Sequence, residues 1–160
     1  MKKFKGFTLV ELIVVIAIIG VLAAILVPNM MGYISKSKLS SANTAAKNVQ
    51  TAVVTWKADQ ESMGKASTIT ELKKATAPAS TDTGVMGAIY TALAGNSNIG
   101  LVCYGESGTG ASAIVWAQWT DSEANAAAGK VWGQYPNAQS DYTAFKTANK
   151  AMGTYVSAWS

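Results

Sequence analysis

The residues near the start of the chain whose types could do chemistry are Gly6, Phe7 and Glu11. Gly6-Phe7 is an unhindered peptide bond directly ahead of an apolar run, and a cut there would give Phe7 a new α-amine. Glu11 is a lone carboxylate one helical turn later, inside the stretch from Phe7 to Val27, FTLVELIVVIAIIGVLAAILV. An acid in a membrane helix costs about 2.5–3.5 kcal/mol at the centre and less near an end, so it calls for a partner. No Lys or Arg lies within the run. The Phe7 amine, in the same chain or in a neighbouring copy, is the group whose charge would complement Glu11 in a low dielectric. Other chemistries are excluded by composition. The chain has no His and no Arg, and one Cys, Cys103. A Ser-His-Asp or Cys-His relay cannot be built from it, a transition-metal site lacks the His or paired Cys that usually hold one, and no intramolecular disulfide can form.

These residues must be held by a helix. The run has the roughly 20 apolar residues that a helix needs to cross a bilayer core. Lys2, Lys3 and Lys5 precede it and hold the N-terminus on the cytoplasmic side. Without them the formal charge falls from +4 to +1, so the basic pI is a leader effect and calls for no nucleic acid partner. Gly20, Ala23 and Ala24 allow close helix–helix approach, and Pro28 predicts a kink or loosening near Gly20–Val27. A secretory signal peptide is the competing reading, but its apolar core is shorter and lacks an acid. From Pro28 to Ala58 the pattern becomes amphipathic. Leu39, Ala42, Ala46, Val49, Val53 and Trp56 recur at spacings of three and four and predict one buried face.

The remaining hundred or so residues predict a small head. Thr68-Ile69-Thr70-Glu71 reads as a capping box opening a short helix. Gly84–Ala94 predicts a second helix stopped by Gly95. Ile99–Tyr104 and Ala113–Thr120 predict strands of an antiparallel hairpin turning at 106–110, with a third strand at Val131–Tyr135. Ser140–Tyr155 predicts a C-terminal helix.

The basic leader ending in Gly6, then Phe7-Thr8-Leu9-Val10-Glu11-Leu12 and the apolar run to Pro28, resembles the class III signal of type IV pilins and pseudopilins. The likeness covers about the first fifth of the chain, with a weaker helical match to about Trp56. It implies an α+β fold: a long N-terminal helix packed at its C-terminal half on a small antiparallel sheet. It also implies four segments: a leader at 1–6 removed by prepilin peptidase, a membrane and filament-core half-helix at 7–28, an amphipathic half-helix at 29–58 and a head at 59–160. Phe7 would be N-methylated. Glu11 would set subunit register against a neighbour's Phe7 amine, with Gly20 and Pro28 easing assembly. The protein would be a structural subunit and not an enzyme, with no cofactor and no metal. It would be made in the cytoplasmic membrane and polymerised with its own copies by pilus assembly machinery into an extracellular filament. The lone cysteine departs from the disulfide-looped pilins and points to a disulfide-free major pilin. A pseudopilin of a secretion or DNA-uptake machine, and a membrane-anchored glycan-binding module, are the alternatives.

Five tryptophans are many for so small a head. Trp56 is expected in the core. Trp116, Trp119 and Trp132 are the candidates for stacking on a polysaccharide surface; alternation along a strand puts Trp116 and Trp119 on opposite faces, one in and one out. Asp121 with Glu123 is read as a solvated turn rather than a calcium site, which would need six or more oxygens.

Overall fold

The computed structural model describes residues 7–95, 99–108, 113–128 and 130–159. In chain order the elements are α1 (Leu9–Ser62), β1 (Leu72–Thr76), α2 (Gly84–Leu93), β2 (Leu101–Ser107), β3 (Ile114–Thr120), a 3-10 turn at Glu123–Asn125, β4 (Gly133–Tyr135) and α3 (Tyr142–Ala148). The strands form one antiparallel sheet in the order β1-β2-β3-β4. This is the expected α+β architecture of a long helix with an antiparallel sheet. The chain divides into two compact units, Met1–Ser35 and Lys36–Ser160.

In the first unit every described residue up to Ile34 is exposed. The apolar side chains of α1 therefore find nothing to bury against within it. Pro28 lies inside α1, and the helix continues through it. Asn29 Nδ2 donates to Ile25 O (3.2 Å) and Ser35 Oγ to Met31 O (3.1 Å). Both bonds give backbone carbonyls of this polar-shifted stretch a side-chain partner.

In the second unit the predicted stripe of α1 is the buried one: Leu39, Ala42, Ala46, Val49 and Val53. Val49 and Val53 pack with Ile89 and Leu93 of α2 and with Val102, Tyr104 and Ala117 of the sheet. The pleat sends alternate residues to opposite faces. Val102, Tyr104 and Ala117 face α1, so Cys103, Trp116, Gln118 and Thr120 face away. Gly133 lies close against α1: a Cβ there would stand 2.1 Å from the Ala42 backbone. A second cluster gathers Leu39, Trp132, Phe145 and Val156.

Two sequence expectations are corrected. The stretch after Thr68 forms no helix. It is irregular and then enters β1, with Leu72 opposite Tyr104 and Thr76 opposite Val102. A sheet edge offers this segment backbone partners, and Leu72 a place against the core, which a one-turn helix could not match. The C-terminal helix ends at Ala148 rather than Tyr155. Asn149 adopts the left-handed conformation (φ 47°), which stops α3, and Gly153 has φ 109°. Residues beyond it cross the second face of the sheet without regular structure.

Candidate functional site

The N-terminal end of α1 is a closed hydrogen-bonded unit. Thr8 N donates to Glu11 Oε2 (2.8 Å), Thr8 Oγ1 donates to the same oxygen (2.6 Å), and Glu11 N donates to Thr8 Oγ1 (3.3 Å). This is a capping box: Thr8 is the cap, Glu11 stands three residues on, and each side chain satisfies the other's backbone N–H. The pattern T-L-V-E was present in the sequence, but the reading of Glu11 as an ion-pair partner passed over it. Both Thr8 bonds go to Oε2, and Oε1 has no partner among the described residues. Glu11 can therefore hold the helix start and still accept from a cation. Phe7, immediately before the cap, is 80% exposed. Gly6 lies outside the described residues, so the Gly6–Phe7 bond has one described side only. Gly20 has open space around it, with nothing within 4 Å of where a Cβ would stand, and Pro28 is exposed. α1 is long and apolar enough to cross a membrane by length and composition.

The head does not present the tryptophans expected to stack on sugars. Trp116 is 1% and Trp132 0% exposed. Trp116 is stacked against Tyr155 (centroids 6.4 Å apart), and Trp132 is boxed by Phe145 (5.4 Å) and Trp159 (5.5 Å). Neither offers a free ring face. Trp119 is half-buried against the α1-side core, and its Nε1 donates to Ile99 O (2.7 Å). The expectation of one ring in and one out fails because the chain covers both faces of the sheet. Trp56, expected in the core, is half-buried. It lines a groove of about 640 Å³ between α1 and α2 with Thr51, Thr55, Asp59 and Thr91. Asp121 is tied down by Asn125 Nδ2 (2.6 Å) and Ser122 Oγ (3.2 Å). Among the described residues no group of three or more acids, cysteines or histidines could hold a metal.

The buried polar residues Gln118, Thr120 and Gln134 were not singled out by sequence. Gln118 and Gln134 are cross-strand partners, and Gln118 Nε2 donates to Gln134 Oε1 (3.0 Å). Cys103 faces the same side. Burial pushes its thiol up to about 12, so it is an inert small hydrophobe.

The first 27 residues match the family model described as the prokaryotic N-terminal methylation motif. The chain is 49% identical over 55 residues to a fimbrial protein of Moraxella nonliquefaciens, covering 34% of this chain and 36% of the relative. It is 43% identical over 61 residues to the type IV major fimbrial protein FimA of Dichelobacter nodosus, covering 38% and 39%. It is 52% identical over 48 residues to the type IV major pilin protein PilA of Myxococcus xanthus, covering 30% and 22%. The aligned stretch thus spans between about a fifth and two fifths of the length of these three relatives. No solved structure matches the chain.

Proposed function

We propose that this chain, a type IV pilin by its methylation motif and its likeness to type IV major fimbrial proteins, is the structural subunit of a pilus-type extracellular filament. The observation that supports this most is the first half of α1, whose apolar side chains are exposed from Phe7 to Ile34. Burying one such Leu, Ile or Val is worth about 1.5–3 kcal/mol, so this helix is driven first into a bilayer and then against copies of itself. The lysines of residues 1–6 hold the leader in the cytoplasm. Prepilin peptidase cuts after Gly6 and the amine of Phe7 is methylated. Each Glu11 then pairs through Oε1 with the Phe7 amine of a neighbour, which fixes the axial step between subunits, while Gly20 and Pro28 give the helix room and local freedom during assembly.

The test is intact-mass and N-terminal analysis of protein sheared from the surface of its own cells. A chain starting at N-methylated Phe7 and sedimenting as filaments is expected. A chain starting at Met1 and confined to the membrane would overturn the reading. Gly6→Val, which crowds the bond to be cut, is expected to leave the leader attached.

A second reading, adhesion to a polysaccharide, is favoured by the α1–α2 groove. It has the half-exposed ring of Trp56 beside a carboxylate and three hydroxyls, a mixture that suits a sugar ring and its hydroxyls. Filaments of Trp56→Ala that bind insoluble polysaccharide as well as unaltered ones would end it.

A further inference from the structure

The sheet has one face covered by helices and one covered by a segment with no regular structure. The second face carries Cys103, Gln118, Thr120 and Gln134, all fully buried. The segment across it, 150–157, finds most of its backbone partners in side chains. Gly153 N donates to Gln118 Oε1 (2.7 Å), and Gln118 Nε2 to Thr154 O (2.7 Å). Val156 N donates to Gln134 Oε1 (2.9 Å), and Gln134 Nε2 to Val156 O (2.9 Å). Asn137 Nδ2 donates to Val156 O (2.9 Å) and Ser157 O (2.8 Å), and Trp132 Nε1 to Lys150 O (3.0 Å). Met152 N, bonded to Ala126 O (3.0 Å), is the backbone–backbone exception among the described residues.

We infer that residues 150–157 are a strap that releases as a unit from an otherwise folded head, with Gln118 and Gln134 as its clasp. The physical reason lies in what each face becomes when uncovered. The α1 face is apolar and can be uncovered only by unfolding. Beside Trp116 and Cys103 the strap face carries carboxamides and a hydroxyl that water can satisfy, so each hydrogen bond lost there is exchanged rather than forfeited. Openings of this kind lie below the global unfolding free energy. The closing contribution comes from Tyr155 on Trp116 and from Val156 in the second cluster.

Cys103 reports the strap's position. Gly153 sits hard against β1, where a Cβ would lie 2.2 Å from Lys73 O. Cys103 Sγ donates to that same carbonyl (3.5 Å). With the strap closed the thiol is buried and held protonated. Opening returns it to water.

The experiment is maleimide labelling of the full-length chain in detergent micelles across a urea series, with tryptophan fluorescence following global unfolding. Expected is slow labelling without urea that changes little with urea until near the unfolding midpoint. Gln134→Ala should speed it by about tenfold or more, because it removes the bonds to both Val156 N and Val156 O. Asn137→Gly should speed it less. Val49→Ala, on the α1 face, should lower the unfolding midpoint without matching acceleration. Labelling that tracks global unfolding at every urea concentration would overturn the strap. So would equal acceleration by Gln134→Ala and Val49→Ala at matched loss of stability. If Gln134→Ala does not fold, the urea dependence of the unaltered chain and the rate of Asn137→Gly decide.

Discussion

Glu11 combines two functions that one substitution separates. As the third residue of α1 it accepts from Thr8, and as a carboxylate it is proposed to pair with a neighbour's Phe7 amine. Gln at this position keeps an acceptor for the Thr8 N–H, so the capping box survives, but it carries no charge. Glu11→Gln is therefore expected to be made, inserted and processed normally while yielding few or no filaments. Filament yield by shearing, set beside N-terminal analysis, is the measurement, and abundant filaments would reduce Glu11 to a cap. The carboxylate was visible in the sequence because an acid in an apolar run is costly and calls for a partner. Its local partner was less visible because Thr8 looks like part of the run. The tryptophans show the opposite difficulty. In Val115-Trp116-Ala117-Gln118-Trp119-Thr120 the glutamine and threonine are residue types that are usually solvated. Here they are buried because a distant segment supplies carbonyls and N–H groups that composition cannot announce.

At the scale of elements, the long helix, α2 and the β2–β3 hairpin were legible from periodicity and turn residues, because each is stabilised largely by its own pattern. β1 and the strap were not. Both are short and both take their conformation from partners in β2, β3 and β4. The join between α1 and the sheet carries an ion pair, Lys57 with Glu106 of β2, about a quarter to a third exposed. The hydrogen bond to Glu106 raises the Lys57 pKa above its ordinary value. A raised lysine contributes stability that is fully present below its unfolded pKa of about 10.5 and is lost as pH rises through the folded one. The pair is partly solvated, so Glu106→Gln is expected to cost no more than about 1 kcal/mol, and less in high salt. Urea unfolding at neutral pH in low and high salt checks it. A loss that ignores salt would mean that Glu106 acts through packing instead.

For the molecule as a whole, pH acts through the buried thiol as well as through Lys57. The Cys103 thiol is held protonated up to about 12 by burial, while in the unfolded chain it ionises near its ordinary value of 9.0. Above that value the unfolded state binds fewer protons than the folded one, so stability falls with rising pH until the folded thiol ionises too. Tyr104, raised mainly by burial and then by Asp82, adds a loss of the same sign at higher pH. Cys103→Ala is expected to flatten the fall that begins near pH 9, read as the shift of the urea midpoint between neutral and alkaline buffer. The largest division in the chain, however, is between its two units. Every buried residue from Leu39 onward belongs to Lys36–Ser160, and the exposed apolar run belongs to Met1–Ser35. The stability of the second unit is therefore expected not to depend on the first, whereas the proposed polymerisation would run through the first. A chain of residues 36–160 is expected to be soluble and monomeric, and to unfold cooperatively at the urea midpoint of the full chain in detergent. It should show no tendency to form filaments. Failure of this fragment to fold would mean that the first 35 residues contribute to the core of the head. Filaments formed by the fragment would move the assembly interface out of the apolar helix.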